Sequence, residues 1–177
     1  MSQQHAFRSP WHVAAPFGAL LAAGLVAQPA QAAPDPGDAG YRQLVARHSG
    51  KCLGLAKATP PEGADAVQRR CAADPGRSWA LVPAGDGTHV TVVSQHTGQC
   101  LEVGGASLTD QAAVQQWPCS GAAHQQWRRV DLDDGDFALR AGHNGKCLAV
   151  RDASTAYGAP AVQERCTYEH DQRWRQP

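Results

Sequence analysis

The pattern of apolar and polar positions along this chain predicts short β-strands. Apolar and polar residues alternate with a period of two in residues 41–45, 89–93 and 137–140, as they do in strands that bury one face. Each segment leads into His-Ser-Gly, His-Thr-Gly or His-Asn-Gly, whose glycine supplies the positive φ of a tight hairpin turn. No segment after residue 33 has a helical period. We therefore predict an all-β fold.

The same features occur three times along the chain. A Val-Gln pair precedes the second cysteine of each copy, and a tryptophan closes it. The pairs are Val67-Gln68, Val114-Gln115 and Val162-Gln163, and the tryptophans are Trp79, Trp127 and Trp174. The repeats are predicted to span residues 41–88, 89–135 and 136–177. Repetition at this period indicates one unit stacked around a shared core, with four strands per unit and about twelve in all.

Six cysteines follow the same repetition. The two cysteines of each copy lie 19 positions apart: Cys52 and Cys71, Cys100 and Cys119, Cys147 and Cys166. Six cysteines can pair in fifteen ways, but the repetition makes pairing within each copy the simplest solution. Each bridge would close a loop of about 20 residues and stabilise the fold by roughly 3 kcal/mol. The spacing lacks the Cys-x-x-Cys pairs of zinc sites, so we expect no metal there.

The first 32 residues have the features of a secretory signal peptide. Arg8 precedes an uncharged stretch from Val13 to Ala27, and Ala30-Gln31-Ala32 is a small-x-small cleavage signal. The alternative is a membrane anchor, but this stretch is shorter than the ~20 residues that span a bilayer. We therefore expect a secreted protein with a short linker at 33–40 and a single domain at 41–177, without membrane insertion.

Charge argues against a nucleic-acid partner. The chain has 16 basic and 16 acidic residues, and loss of residues 1–32 removes only Arg8, leaving a net charge of −1. Binding to a phosphate backbone depends on an excess of lysine and arginine. Export to an oxidising compartment also fits the cysteines, because disulfides persist there and stabilise domains with thin cores.

Together, Cys-Leu-x-Val, Val-Gln-x-x-Cys and Gln-x-Trp resemble the ricin-type lectin family. Gln-x-Trp is intact at 125–127 and 172–174, whereas Arg77-Ser78-Trp79 has lost the glutamine. The resemblance covers the whole predicted mature chain and implies a β-trefoil at residues 41–177, with six hairpins around a pseudo-threefold axis. The three tryptophans and the leucines beside the first cysteines are expected in its core.

The resemblance also implies one sugar pocket per copy, and the second copy retains most of it. A sugar needs a carboxylate or amide for its hydroxyls and an aromatic plane for its apolar face. The family pattern places these groups at Glu102, Gln115, Trp117, His124 and Gln125. Gln115 and Gln125 have an alternative role in bracing the hairpin, because glutamines recur in the other copies.

The other two copies have lost parts of this pattern. In the first, we match Gly54 to the acid, Arg70 to the aromatic residue and Gly76-Arg77 to the closing pair, which predicts an inactive pocket. In the third, Ala149 and Arg165 occupy the acid and aromatic positions. A weak second pocket there would use Asp152, Gln163, Asp171 and Gln172, with Tyr157 as a substitute aromatic residue.

Other chemistry is not indicated by the sequence. His48, His96 and His143 are related by the repeat, but each lies in a hairpin turn, so we expect no metal site. The acidic run at 131–136 does not match a calcium loop and is predicted to be a solvated linker. We find no catalytic motif and predict neither enzymatic activity nor a cofactor.

The leading hypothesis is a secreted, non-catalytic lectin that binds a galactose-like sugar or a related polysaccharide through the second copy. The alternative is a secreted protein-interaction module, such as an inhibitor or adaptor of an extracellular assembly. Arg70 and Arg165 support this alternative, since arginine is common at protein interfaces.

Overall fold

Thirteen short strands form the architecture of residues 40–56 and 62–177, the part of the chain that this computed structural model describes. The predicted signal peptide and nearly all of the predicted linker lie outside these residues. The strands are β1 (Arg42–Gln43), β2 (Val45–Ala46), β3 (Cys52–Leu55), β4 (Ala66–Arg69), β5 (Ser78–Pro83), β6 (Val90–Ser94), β7 (Cys100–Val103), β8 (Ala112–Trp117), β9 (Gln126–Asp131), β10 (Phe137–Ala141), β11 (Cys147–Val150), β12 (Ala161–Glu164) and β13 (Trp174–Arg175).

Antiparallel pairing closes seven of these strands into a ring of six segments, because β1 and β2 are one segment interrupted at Leu44. Strand β5 pairs with β6, β6 with β9, β9 with β10, β10 with β13 and β13 with β2, while β1 completes the ring by pairing with β5. The remaining strands form the hairpins β3–β4, β7–β8 and β11–β12. A ring of six segments with three hairpins is the β-trefoil that the family resemblance implies. The described helices are six single 3₁₀ turns.

A tryptophan from each repeat lies at the centre of the core. Trp79, Trp127 and Trp174 are buried, and each indole nitrogen donates to the backbone oxygen of a leucine in its own repeat. The leucines are Leu53, Leu101 and Leu148, at N–O distances of 3.0, 3.0 and 3.1 Å. These bonds satisfy the one polar atom of each ring, so the core gains apolar area without a buried unpaired donor. The predicted core is confirmed.

The disulfides pair within each repeat, as predicted: Cys52–Cys71, Cys100–Cys119 and Cys147–Cys166. The turn glycines Gly50, Gly98 and Gly145 have φ values of 65°, 67° and 73°. A side chain at these positions would be strained, which explains why all three turns use glycine.

A buried glutamine braces each hairpin, and its position corrects the sequence alignment of the second repeat. Gln68, Gln116 and Gln163 are buried, and each side-chain oxygen accepts a hydrogen bond from the turn of its own repeat. The donors are Ser49, Thr97 and Asn144. The recurring glutamine of the second repeat is therefore Gln116, and the prediction that Gln115 holds this place was wrong.

Two of the turn histidines tie neighbouring repeats together. The Nε2 atom of His48 lies 2.9 Å from the backbone oxygen of Ser154, and that of His143 lies 3.0 Å from the backbone oxygen of Ser107. Within the described ranges, no group of three or more histidine, cysteine, aspartate or glutamate side chains is placed to hold a metal ion. Nor do these ranges contain a helix with the length and apolar character needed to cross a bilayer.

The acidic run at 131–136 is only partly the solvated linker that the sequence predicts. Asp136 is 1% exposed and accepts two hydrogen bonds from Arg175, at 3.0 and 2.9 Å. Arg47 and Arg173 each approach its other oxygen to 3.5 Å. Sequence alone did not indicate this cluster, because its arginines come from distant parts of the chain.

Candidate functional site

The β7–β8 hairpin places three of the predicted site residues on one face. Glu102 lies opposite Gln115, and Cys100 lies opposite Trp117. Because side chains alternate along a strand, Gln115 and Trp117 project to the same side of β8, and Glu102 projects to that side of β7. Gln116 projects to the other side, into the brace described above.

The carboxylate of Glu102 is the centre of a hydrogen-bond network. The Nε2 atom of Gln115 donates to its Oε1 atom, and Nε2 of Gln125 donates to its Oε2 atom, both at 2.9 Å. The Nε2 atom of His124 lies 3.4 Å from Oε2. Each carboxylate oxygen can accept two hydrogen bonds, so Oε1 retains capacity for one more donor. Only 4% of the Glu102 side chain is exposed.

Trp117 supplies an exposed aromatic surface beside this carboxylate. It is 39% exposed, and its six-membered ring packs over Gly63 of the first repeat. Gly63 has a φ of 79°, and a Cβ added there would lie 3.3 Å from the ring. The glycine thus allows both the turn and the close approach of the ring. The site is therefore built across two repeats, which sequence analysis missed because Gly63 lies 54 positions from Trp117.

Two histidines border the same area. His124 begins the closing pair, and its ring meets that of His143 edge to face, with 6.3 Å between the ring centroids. His143 belongs to the turn of the third repeat and was predicted only as a turn residue. His124 and Gln125 lie in a 3₁₀ turn, Ala123–Gln125, just before β9.

Gln125 has both the structural and the site role that the sequence left open. Its Oε1 atom accepts from the backbone nitrogen of Ser120 at 2.7 Å, and its Nε2 atom donates to the backbone oxygen of Pro118 as well as to Glu102. It is fully buried. Gln125 therefore braces the loop after β8 and orients the carboxylate at the same time.

Strand register also corrects the counterparts of Trp117. Cys52 lies opposite Arg69 and Cys147 lies opposite Glu164, as Cys100 lies opposite Trp117. The aromatic position is therefore Arg69 in the first repeat and Glu164 in the third, not Arg70 and Arg165. The error came from aligning the repeats on their Val-Gln pairs. Val114 lies five residues before the second cysteine of its repeat, whereas Val67 and Val162 lie four residues before theirs, so this alignment is shifted by one residue.

The corrected register makes Gln115 distinctive. Its counterparts are Val67 and Val162, which face Gly54 and Ala149. In the first and third repeats, a small residue thus lies opposite a valine, whereas the second repeat has an acid opposite an amide. A scaffold role shared by all repeats does not explain this polar pair.

In the third repeat, the two predicted glutamines are occupied by scaffold bonds. The Nε2 atom of Gln163 donates to the backbone oxygens of Ser107 and Thr109, each at 2.8 Å. Gln172 accepts from the backbone nitrogens of Thr167 and Tyr168. Its Nε2 atom donates to the backbone oxygen of Arg165 at 3.0 Å, as Gln125 donates to that of Pro118.

The two remaining acids predicted for the third repeat, Asp152 and Asp171, interact electrostatically with Glu164. Burial raises the pKa of Glu164, and the charge of Asp171 raises it further, with smaller contributions from Asp152 and Asp110. The side-chain amide of Gln111 donates to Glu164. Gln111 corresponds to Gly63, because its backbone nitrogen donates to the backbone oxygen of Gln163 as that of Gly63 donates to that of Gln116. Asp152 is exposed at a φ of 53°. Tyr157 lies outside this group. The centroid of its ring is 5.0 Å from Nζ of Lys51 and 5.7 Å from Cζ of Arg70.

Comparison with known proteins identifies the family. The ricin-type beta-trefoil lectin domain-like model matches residues 31–117, 87–164 and 123–176. This chain belongs to that family. The lectin fold of this family supports carbohydrate binding, without indicating a particular sugar, and the family is generally non-catalytic. A search of curated proteins gave no significant match.

Solved structures agree with this assignment. The designed threefold symmetric protein ThreeFoil is 43% identical, with a TM-score of 0.75 over 77% of this chain and 97% of its own. An exo-beta-1,3-galactanase from Clostridium thermocellum is 28% identical over 77% of this chain but only 29% of its own, with a TM-score of 0.71. The Rhizoctonia solani agglutinin, at 20% identity and a TM-score of 0.69, shares the fold over 77% of this chain and 93% of its own.

Proposed function

We propose that this protein is a secreted, non-catalytic lectin that binds a galactose-like sugar, free or within a polysaccharide, mainly through its second repeat. The observation that carries the proposal is the pairing of Glu102 with Gln115 beside the exposed ring of Trp117. The other two repeats have apolar pairs at the positions of Glu102 and Gln115.

Each group of this site has a defined task toward a sugar. The Oε1 atom of Glu102 accepts a hydroxyl hydrogen, because a carboxylate is a stronger acceptor than a neutral oxygen. Trp117 packs against the apolar C–H face of the ring. Gln115 and Gln125 hold the carboxylate in place, and His124 offers a second polar contact at its edge. No covalent step is needed for binding.

Similarity supports galactose as the first sugar to test. The galactanase that is 28% identical acts on a galactan according to its name, and the similar part is less than a third of that chain. One open site per chain predicts weak binding of a single sugar, which association of chains or a repeating polysaccharide would strengthen.

The test compares the wild type with Trp117→Ala on a glycan array, followed by calorimetry on the best ligand. We expect Trp117→Ala to weaken binding at least about fivefold, since stacking on an aromatic ring contributes roughly 1 kcal/mol or more. Leu108→Ala is the matched control, because Leu108 is an apolar residue of the same repeat and is 68% exposed. Unchanged binding by Trp117→Ala would remove the site assignment.

A protein-interaction module is the second candidate function. It is favoured by an exposed patch in which Lys51 and Arg70 lie over the ring of Tyr157, itself 59% exposed. Arginine and tyrosine are enriched at protein interfaces. A partner captured from secreted proteins that resists competing sugars and is lost in Tyr157→Ala would support this function over sugar binding.

A further inference from the structure

The first repeat contains a cavity at the place that corresponds to the candidate site of the second. Its volume is about 600 Å³, and its lining includes Arg69, Asp74, Gly76, Arg77 and His96. Strand register makes Arg69 the counterpart of Trp117, and distance from the second cysteine makes Gly76 and Arg77 the counterparts of His124 and Gln125. A volume of this size is typical of small-molecule sites.

In the first repeat, Gly54 stands at the position of Glu102, and the aliphatic part of the Arg69 side chain packs against it. A Cβ added to Gly54 would lie 3.0 Å from Cγ of Arg69 and 3.4 Å from the backbone oxygen of Gly76. The space that Glu102 fills in its own repeat is thus closed to a carboxylate here. Gly54 and Arg69 therefore depend on each other sterically.

Hydrogen bonds to the backbone fix the guanidinium of Arg69. Its Nε and Nη2 atoms donate to the backbone oxygen of Leu55 at 3.2 and 3.1 Å, and Nη2 also donates to that of Ala56. Its Nη1 group makes no hydrogen bond within the described residues. An ordered guanidinium loses little entropy on binding a planar anion.

Arg77 provides a second cation with an unpaired donor. One of its terminal nitrogens pairs with Asp74, while its Nε atom is buried without a hydrogen-bond partner among the described residues. An unsatisfied buried donor costs free energy, which a bound acceptor would recover. The cavity lining thus has two guanidinium groups against one carboxylate, with His96 at its border.

We propose that this cavity binds an acidic saccharide through the carboxylate of a uronate residue. Guanidinium and carboxylate groups match in shape and charge and form paired, charge-assisted hydrogen bonds. The expectation that the ligand is a sugar rests on the proposed lectin function. The expectation that it is an anion rests on Arg69 and Arg77 alone. The chain then has a neutral-sugar site in its second repeat and an acidic-sugar site in its first.

Calorimetry with trigalacturonate and with the neutral galactose trisaccharide tests this proposal. Trigalacturonate is expected to bind the wild type, and about 1 M salt to weaken that binding strongly by screening the charges. Arg77→Gln is expected to weaken it about tenfold or more; this change introduces the residue that the other two repeats have at that position. Arg70→Gln is the matched control, because Arg70 lies against Tyr157 rather than in the cavity, and it should bind as the wild type does.

Three outcomes of these measurements, and a fourth given by Trp117→Ala below, would overturn the proposal. The three are equal binding of trigalacturonate by Arg77→Gln and the wild type, salt-insensitive binding, and binding of inorganic sulfate as tight as that of trigalacturonate. Trp117→Ala separates this site from the proposed function. It should keep trigalacturonate binding while losing the neutral sugar, and loss of trigalacturonate binding would place the acid-binding site elsewhere.

Discussion

The second and third repeats have the same scaffold but differ at the site. Gln125 and Gln172 both donate to the backbone oxygen of the residue before the second cysteine, and both accept from the loop that follows it. Only Gln125 also meets a carboxylate, because its neighbour is Glu102 where the third repeat has Ala149. A shared Gln-x-Trp element therefore identifies the hairpin and does not by itself identify a sugar site.

The difference follows from the alternation of side chains in β8 and β12. Gln116 and Gln163 point into the scaffold, whereas Gln115, Trp117 and Glu164 lie on the opposite side of their strands. Since adjacent residues of a strand face opposite sides, the site can change completely while the brace stays the same.

The shared scaffold predicts equal losses when the core tryptophans are removed. Trp127→Ala and Trp174→Ala should each lower the free energy of unfolding by about 3–5 kcal/mol, because each ring is buried and donates to a leucine carbonyl. Chemical denaturation measures both. A loss in one repeat several times that in the other would contradict the equivalence of the scaffolds, and Trp117→Ala is the exposed control.

The bracing glutamines should separate stability from binding. Gln125→Ala and Gln172→Ala each leave buried backbone groups unpaired, at a cost of about 1–3 kcal/mol. Only Gln125→Ala also releases Glu102, so only this variant should lose sugar affinity beyond its loss of stability. Thermal unfolding measures the loss of stability, and calorimetry below the unfolding temperature measures the loss of sugar affinity. Equal sugar affinity in both variants would argue against a role of Gln125 in positioning Glu102.

The carboxylate itself should matter in the second repeat alone. Glu102→Gln is expected to weaken sugar binding about tenfold or more, because a hydrogen bond to a charged group contributes roughly 1.5–3 kcal/mol. Glu164→Gln changes the corresponding region of the third repeat and should leave affinity unchanged. Calorimetry with the ligand found on the glycan array measures both, and similar losses would point to binding by both repeats.

Transfer of the site into the third repeat tests whether the residues named above are sufficient for sugar binding. The combined variant Gln111→Gly, Ala149→Glu, Val162→Gln and Glu164→Trp copies Gly63, Glu102, Gln115 and Trp117 onto an existing brace. The number of sugars bound per chain should rise from one to two, as measured by calorimetric stoichiometry. A folded variant that still binds one sugar would indicate that His124 or its surroundings are also required.

The smallest effect concerns the pH dependence of stability. Burial and the charge of Asp171 raise the pKa of Glu164 in the folded state, so the folded protein holds this proton more tightly than the unfolded chain. Ionisation of Glu164 therefore lowers stability as the pH rises from the usual glutamate pKa through the raised one. Glu164→Gln should be slightly more stable than the wild type at neutral pH and similar in acid, where both side chains are neutral. Thermal unfolding across pH tests this, and a variant less stable at neutral pH would contradict it.

The three repeats, their disulfides and the tryptophan core could all be predicted from the sequence alone. Those features depend on spacing and on strong residue preferences, which are visible along the chain. The sequence also singled out Glu102 and Trp117, because an acid after the first cysteine and a tryptophan before the second occur together only in the middle repeat.

The choice of the glutamine that faces the site depends on how the strands pair in three dimensions. In Val114-Gln115-Gln116-Trp117, two adjacent glutamines are equally plausible, and a shift of one residue moves every side chain to the other face of the strand. The hydrogen-bond register places Gln116 in the brace and Gln115 beside Glu102. The same register reveals Arg69 in the first cavity and Gly63 beneath Trp117, because contacts between repeats depend on how the strands pair and leave no mark on local sequence.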